Sequence, residues 1–478
     1  MCEQQSLLFD FSRHADRRED MLALMAQFAG LPPFRSAVVD ELELDEDFYR
    51  RPLRPEDLPF IKFRKPVTAE RLNLLPSLAS QRMLLCINEL GVARLPHPND
   101  PDAFLRFSQF YAEEGRVLGE RVRSFLEDFA FSFTETGVMA TTSAADLVQQ
   151  FRSLIEIEAG QWGRGFKQLT TNKYVEEGLR FILIQKWCLL PTRKAALSKA
   201  TALGYFDTIR SDLRPQIASV AASDATLQAL VERCGVLRRQ HSYWQFYQAP
   251  SLTSCNLLHA LASRPDRALA LQGASFVAEA VELAFGCLIG QAAAWFDMPS
   301  SADQMNIDEK VDGLVRRFER VLGQVTASYG HVGFRQFGQG MQAAMRLAEG
   351  ARKDLAEQLG WLGSIDHYLA MARMIESRIQ AECPDIDRDT FVEPRDMCST
   401  THVHNDHRLV VIESGRMVFW GNLGMRLHME PGDMVLIPQG RLHGSTVISD
   451  ECTYHQPIIP DAWVKELTTK LNTPRAAE

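Results

Sequence analysis

The hydrophobic pattern changes its period once along the chain, and this change separates two unlike parts. Up to about Gln380 the apolar residues recur at helical spacing, as they do from Val117 to Phe129. The segment AECPDIDRDTFVEPRDM follows, and its Pro384 and Pro394 stand where a helix must stop. Beyond it, HRLVVIESGRMVFWG and GMRLHMEPGDMVLIPQG are rich in strand-forming residues. The sequence therefore predicts an α+β multidomain protein, in which a long all-α part precedes a small β-domain.

Length, charge and cysteine content place the chain among ordinary folded proteins. A chain of 478 residues exceeds the usual size of one hydrophobic core, so two or three domains are expected. The formal net charge is -9 and no Lys/Arg stripe interleaves with aromatic residues, so nucleic-acid binding is not expected. The nine cysteines are scattered and form no Cys-x-x-Cys pair, which argues against a disulfide framework and favours a cytoplasmic protein.

The N-terminal sequence and the most apolar segment argue against export and membrane insertion. The first residues lack the basic region and apolar core of a secretory signal. The stretch from Ala268 to Phe296 is interrupted by polar side chains, among them Glu279 and Glu282, and falls short of an uninterrupted span. We therefore expect it to form a buried core helix.

Three histidines in the β-rich part have the spacing of a metal site. His402 and His404 lie two residues apart on a predicted strand, hence on the same face. His443 closes a segment of tight corners formed by Gly432, Pro438 and Gly440. Three neutral imidazoles suit Fe, Cu, Ni or Zn, so the residue types alone leave the metal open.

These two segments resemble the paired motifs of the cupin superfamily, His-x-His-x3-Glu-x6-Gly and Gly-x5-Pro-x-Gly-x2-His. The second motif matches through its histidine, whereas Arg408 occupies the glutamate position of the first. The resemblance implies a small β-barrel that holds one iron through the three histidines, as iron-dependent oxygenase cupins do. The alternative is a metal-free cupin or sugar-binding barrel with incidental histidines.

Other polar residues of the β-domain are weaker candidates. His407 is out of phase with His404 and is expected to be a surface histidine. His428, Tyr454 and His455 lie on later strands, where they could orient ligands or substrate. Tyr454 is the preferred candidate among these for a catalytic role.

Taken whole, the chain resembles the three-domain N-nitrosourea-forming enzymes of streptozocin biosynthesis. The resemblance covers nearly the full length and rests on the domain order and the cupin motifs. It implies an N-terminal helical dimerisation domain over residues 1–133 and a heme-oxygenase-like helical bundle over 134–383. The cupin would then occupy residues 384–478, and the protein would be a homodimer.

In that family the bundle carries a di-iron site that hydroxylates a guanidine, and this chain lacks its ligand pattern. The expected His-x3-Asp-x2-His run on one helix is absent. The corresponding positions hold Asn306, Lys310 and Gly313, and the earlier ligand positions hold Arg210 and Val220. We therefore expect no di-iron centre. Glu279 and Glu282 of the apolar helix would be ligand remnants, or else partly solvated or paired with arginines.

The resemblance implies an enzyme with one Fe(II) per chain in the cupin domain. It would use O2 to rearrange an N-hydroxylated, arginine-derived guanidine into an N-nitroso or diazeniumdiolate product of antibiotic or siderophore biosynthesis. A separate upstream enzyme would then supply the hydroxylated substrate. Tyr454 and Arg408 are the catalytic candidates, although Arg408 could instead form a surface ion pair. The rival hypotheses are another cupin dioxygenase, acting on a thiol or small acid, and a metal-binding sensor or assembly protein.

Overall fold

The computed structural model shows a mostly helical chain that ends in two β-sheets and a final helix. It describes residues 7–34, 58–92, 94–96, 101–135, 142–171, 174–214, 225–237, 243–298, 307–422 and 425–472. The expected switch from helices to strands falls between Glu382 and Thr390. The predicted α+β multidomain architecture is confirmed.

The first helices pack around the helix that carries the first apolar stripe. Leu118, Val122 and Phe129 of that stripe are buried, whereas Val117 is half exposed. A 3-10 helix over Phe11–Arg17 precedes the first α-helix, and a single helical turn covers Leu58–Ile61. The helices are α1 (Arg18–Ala29), α2 (Leu75–Glu89), α3 (Pro101–Phe110) and α4 (Glu113–Phe131).

A larger set of helices forms the middle of the chain, and its centre is the most apolar helix, α10. This helix packs against α5 and α11. The helices are α5 (Ala144–Thr171), α6 (Val175–Lys186), α7 (Leu190–Ala202), α8 (Ala225–Arg233), α9 (Ala249–Ala262), α10 (Ala268–Trp295), α11 (Ile307–Gly363) and α12 (Ile365–Glu382). Helix α11 is kinked at Gly330, where φ is 60°.

Helix α10 is a core helix, as its polar interruptions indicate. By length and composition it could cross a membrane, yet 83% of its most apolar window is buried inside the protein. It approaches α11 at two reciprocal glycines. A Cβ on Gly273 would lie 2.0 Å from the Phe337 carbonyl oxygen, and one on Gly340 would lie 1.9 Å from that of Ala270. Only glycine permits this contact between the two backbones.

The C-terminal strands form two antiparallel sheets. One has the order β1-β8-β3-β6, with β9 paired to β3, and the other has the order β2-β7-β4-β5. The strands are β1 (Thr390–Pro394), β2 (Cys398–His402), β3 (His407–Ser414), β4 (Met417–Asn422), β5 (Met425–Met429), β6 (Met434–Ile437), β7 (His443–Val447), β8 (Glu451–His455) and β9 (Ile458–Ile459). Helix α13 (Asp461–Asn472) follows the strands.

The end of α11 contributes to the core of the β-domain. Trp361 is buried in one cluster with Val410, Phe419 and Val435. Its ring meets that of Phe419 edge to face at 6.2 Å, and its Nε1 donates a hydrogen bond to the Leu436 carbonyl oxygen at 3.4 Å. The strands therefore do not close their core without the helical part.

Replacement of Trp361 tests this shared core. We expect Trp361→Ala to lower the free energy of unfolding by about 3–5 kcal/mol, because it leaves a cavity where a fully buried indole now packs. The control is Trp295→Ala on α10, where the side chain is 52% exposed and the expected loss is about 0.5 kcal/mol or less. Urea denaturation followed by circular dichroism measures both variants. Equal losses would contradict the shared core.

Candidate metal centre

A β-bulge turns the end of strand β2 toward the space between the two sheets. Strict alternation would place Ser399 and His402 on opposite faces of β2. The pairing with β7 shifts between these two positions, and both side chains line one cavity. His404 follows two residues later and lines the same cavity, as its spacing from His402 predicts.

The third histidine reaches the same place from the neighbouring strand. His443 is the first residue of β7 and is paired with His402 across the two strands. The turn before it contains Gly440 with φ at 73°. A Cβ on Gly440 would lie 2.3 Å from Nδ2 of Asn73, so this turn packs closely against the N-terminal part, and its positive φ favours glycine.

The three imidazoles are close enough to share one ion. Their potential ligand nitrogens all lie within 4.8 Å of one another, and this is the one such group of three among the described residues. The ring centroids of His402 and His443 are 4.4 Å apart, and that of His404 lies 4.8 Å from the first and 4.9 Å from the second. The sequence-predicted triad is thus brought together.

Hydrogen bonds to Nδ1 orient two of these rings. Nδ1 of His443 donates to the Arg441 carbonyl oxygen at 2.8 Å, which leaves the Nε2 lone pair available as a ligand. Nδ1 of His402 is bonded to Oγ of Ser399 at 3.2 Å. This donor set fits a transition-metal ion that prefers imidazole nitrogen, including iron.

The triad lines a cavity of about 180 Å³ that is walled by both sheets. Tyr454 on β8 is buried and stacks on Phe391 of β1, with ring centroids 5.3 Å apart. Phe419 stacks on His443 at 5.7 Å. Tyr454 therefore shares the cavity with the histidines, where the sequence places its preferred candidate.

Most of the cavity residues were not singled out from the sequence, and three of them matter for what the cavity could bind. Phe391, Glu393 and Gln456 all line the cavity. Phe391 and Glu393 lie two residues apart on β1, so the sequence predicts that they share one face of the strand. Which face lines the cavity is known only from the pairing of β1 with β8.

Arg408, the other catalytic candidate, takes part in an ion pair instead of lining the cavity. Its Nη1 donates to Oδ2 of Asp389 at 2.8 Å and to the Gln456 carbonyl oxygen at 2.9 Å. These contacts match the ion-pair alternative. The arginine at the glutamate position of the first cupin motif thus leaves the three histidines as the ligand group.

The prediction for His407 requires correction, and the structure places the other two histidines away from the cavity lining. His407 is not a surface side chain, because its Nδ1 accepts a hydrogen bond from the Gln439 backbone and burial lowers its pKa. His428 is exposed on β5. Nδ1 of His455 is bonded to Oγ1 of Thr390 at 2.9 Å. None of these three histidines is among the described residues that line the metal cavity.

The carboxylates of α10 are paired with arginines. Oε1 of Glu282 lies 2.5 Å from Nη1 of Arg193, and both side chains are buried. Glu279 is paired with Arg317 of α11. These contacts correspond to the arginine-paired alternative for the two glutamates.

The positions aligned with di-iron ligands add no convergent group in the described residues. Lys310 and Arg210 are exposed and Gly313 has no side chain, while Asn306 and Val220 lie outside the described residues. The described bundle therefore presents buried ion pairs in place of a ligand cluster.

Comparison with known proteins agrees with this geometry. Residues 390–454 match the family model described as a cupin domain. Over 422 residues the chain is 26% identical to a nitrosourea synthase of Streptomyces achromogenes subsp. streptozoticus, covering 85% of this chain and 88% of that protein. The predicted resemblance and the prediction of an enzyme are both confirmed. This chain is an α+β multidomain enzyme with a C-terminal cupin domain, similar over most of its length to nitrosourea synthase.

Proposed function

We propose that the protein is a mononuclear non-heme iron enzyme that uses O2 to rearrange an N-hydroxylated, arginine-derived guanidine. The rearrangement forms a nitrogen–nitrogen bond and gives an N-nitroso or diazeniumdiolate product for antibiotic or siderophore biosynthesis. The convergence of His402, His404 and His443 within 4.8 Å carries this proposal. The similarity to nitrosourea synthase supports the type of product.

Several residues of the cavity have a part in the proposed reaction. A bound Fe(II) would supply the redox chemistry needed for O2 to react with the substrate. His402, His404 and His443 would hold the ion, and the stacked rings of Phe391 and Tyr454 form an apolar part of the cavity wall. The volume of about 180 Å³ is below the roughly 300 Å³ at which drug-sized sites begin, which favours a compact substrate group.

Glu393 and Gln456 support a polar, cationic substrate. Glu393 supplies the carboxylate among the described residues that line the cavity, and Gln456 supplies an amide. A carboxylate hydrogen-bonds strongly to an ammonium or guanidinium group, and both groups occur in arginine derivatives. The proposed role of Glu393 is to bind this charged part of the substrate.

A separate enzyme is proposed to hydroxylate the guanidine before it reaches this protein. The pairing of Glu279 and Glu282 with arginines supports this, because a carboxylate bound to a guanidinium is a poor ligand for a cation. The bundle then serves as scaffold.

We further propose a homodimer that assembles through the N-terminal helices and works in the cytoplasm. Phe104 and Leu105 of α3 and Val117 of α4 are each at least half exposed. Exposed apolar side chains are candidates for a protein interface where they form a contiguous patch. This observation supports the N-terminal part as the dimer contact.

Metal analysis tests the proposed centre. The wild-type protein, loaded with Fe(II) without oxygen, should retain one iron per chain. His443→Ala should lose it while its circular dichroism spectrum persists, because two imidazoles remain. His428→Ala is the matched control, since this exposed histidine lies outside the cavity and its loss should leave the iron content unchanged. Full iron retention by His443→Ala would exclude the triad as the metal site.

Substrate analysis tests the reaction. Iron-loaded protein is incubated in air with arginine and with mono- and di-N-hydroxylated arginines, and the products are identified by mass spectrometry. We expect turnover of a hydroxylated arginine and none of arginine itself. Turnover of arginine would show that the bundle hydroxylates it. If no hydroxylated guanidine reacts, the nitrogen–nitrogen proposal is wrong, and iron-dependent oxidation of a thiol or small acid would favour the rival dioxygenase.

Steady-state kinetics test the proposed part of Glu393. Glu393→Gln should raise KM for the hydroxylated substrate about tenfold with little change in kcat, because a hydrogen bond to a charged group is worth about 1.5–3 kcal/mol. Glu413→Gln is the control, since that partly exposed carboxylate near His455 does not line the cavity. An unchanged KM in Glu393→Gln would show that Glu393 does not bind the substrate.

A further inference from the structure

The helical part of the chain contacts the cupin next to each of its three potential metal ligands. The contacts on the His443 side come from one turn of α11, between Asp354 and Gln358. Those on the side of His402 and His404 come from α2. Both helices lie outside the residues that match the cupin family model.

The first contact on the His443 side is a buried ion pair. Arg441 is 2% exposed, and its Nη2 donates to Oδ1 of Asp354 at 2.7 Å and to Oε2 of Glu357 at 3.0 Å. Its Nη1 donates to the Asp354 carbonyl oxygen at 3.0 Å. The carbonyl oxygen of the same Arg441 accepts the hydrogen bond from Nδ1 of His443. The residue that orients the His443 ring is thus itself held by α11.

The second contact is a two-way amide bridge to the residue between Arg441 and His443. Oε1 of Gln358 accepts from the Leu442 backbone nitrogen at 2.9 Å, and its Nε2 donates to the Leu442 carbonyl oxygen at 2.9 Å. Gln358 is fully buried. Its amide forms the two backbone hydrogen bonds with Leu442 that a neighbouring strand would otherwise form. This holds the backbone in place immediately before His443.

Helix α2 holds the first two histidines in a similar way. Nη1 of Arg82 donates to the Thr401 carbonyl oxygen at 2.9 Å, one residue before His402. The backbone nitrogen of Leu75, at the start of α2, donates to Oδ1 of Asn405 at 3.1 Å, one residue after His404. This bond satisfies a backbone N–H group at the N-terminus of α2. It also holds the cupin segment that follows His404.

We propose that Asp354 and Gln358 of α11 are positioning residues of the metal centre, acting on His443 through Arg441 and Leu442. This inference rests on the proposed function only in requiring that the histidines bind a metal. Groups that orient a metal-ligating histidine change metal affinity about 10- to 100-fold when they are replaced. A bundle that has lost its own ligand pattern would then still determine the properties of the cupin metal.

Binding of Co(II) to the full-length protein tests this role. Its affinity is measured by competition with a chelator, and its visible absorption bands report the ligand geometry. The variants are Asp354→Asn, which keeps the size of the side chain, and Gln358→Met, which removes the amide without leaving a buried charge unpaired. The control is Glu376→Gln, which breaks the ion pair between Glu376 of α12 and Arg388, a contact not adjacent to any of the three histidines.

We expect both α11 variants to bind Co(II) about 10- to 100-fold more weakly and with shifted absorption bands. The control should match the wild type in both. A structural role alone would lower the melting temperature without moving the bands. Wild-type affinity and spectrum in a folded Gln358→Met variant would overturn the positioning role while leaving the metal site intact. A wild-type protein that binds no Co(II) would instead overturn the metal site, and the inference with it.

Hydrogen exchange of the wild-type protein provides a test that does not depend on the variants folding. If α11 and the metal site are coupled, Co(II) should slow amide exchange in the peptide that contains Asp354 and Gln358. The peptide around Glu376 serves as the internal reference. Protection confined to the strands would contradict the coupling.

Discussion

The ion pair between Arg441 and Asp354 joins the helical part of this protein to its β-domain two residues before His443. A buried guanidinium is costly unless it is paired and hydrogen-bonded, and Arg441 meets both conditions through one turn of α11. Burial raises the pKa of Asp354 to about 6, and the neighbouring Arg441 opposes this shift. The position of the strand that begins with His443 depends on this contact.

The same physical rule governs the middle of the bundle. Glu282 is buried beside Arg193, and Lys186 has its pKa lowered by burial while Glu282 opposes the shift. Glu158 is paired with Arg352 in the same way. Charges of opposite sign thus compensate each other among the described residues of the helices. In the proposed function, the cupin domain carries out the chemistry and the helices serve as its scaffold.

Periodicity and spacing predicted the parts of this protein that depend on local sequence. The change from helices to strands, the core position of α10 and the meeting of His402, His404 and His443 all follow from such patterns. Pairing between distant segments could not be predicted. Glu393 lies in the cavity because β1 pairs with β8. Arg408 is paired with Asp389, the residue just before β1, and this contact depends on how the two distant segments are placed. Arg441 is a variable position of the motif, so its importance is visible only beside α11.

The contact between Leu75 and Asn405 spans 330 residues of sequence. Domains generally fold in order of synthesis, so α2 and α11 are expected to fold before the last strands leave the ribosome. The histidines would therefore come together on the surface of these folded helices. Contacts with the helices would offset the loss of backbone entropy as each strand docks. The metal centre then assembles after the helices that contact it. A nascent chain would offer no preformed site that could capture an unsuitable ion before the helices have folded.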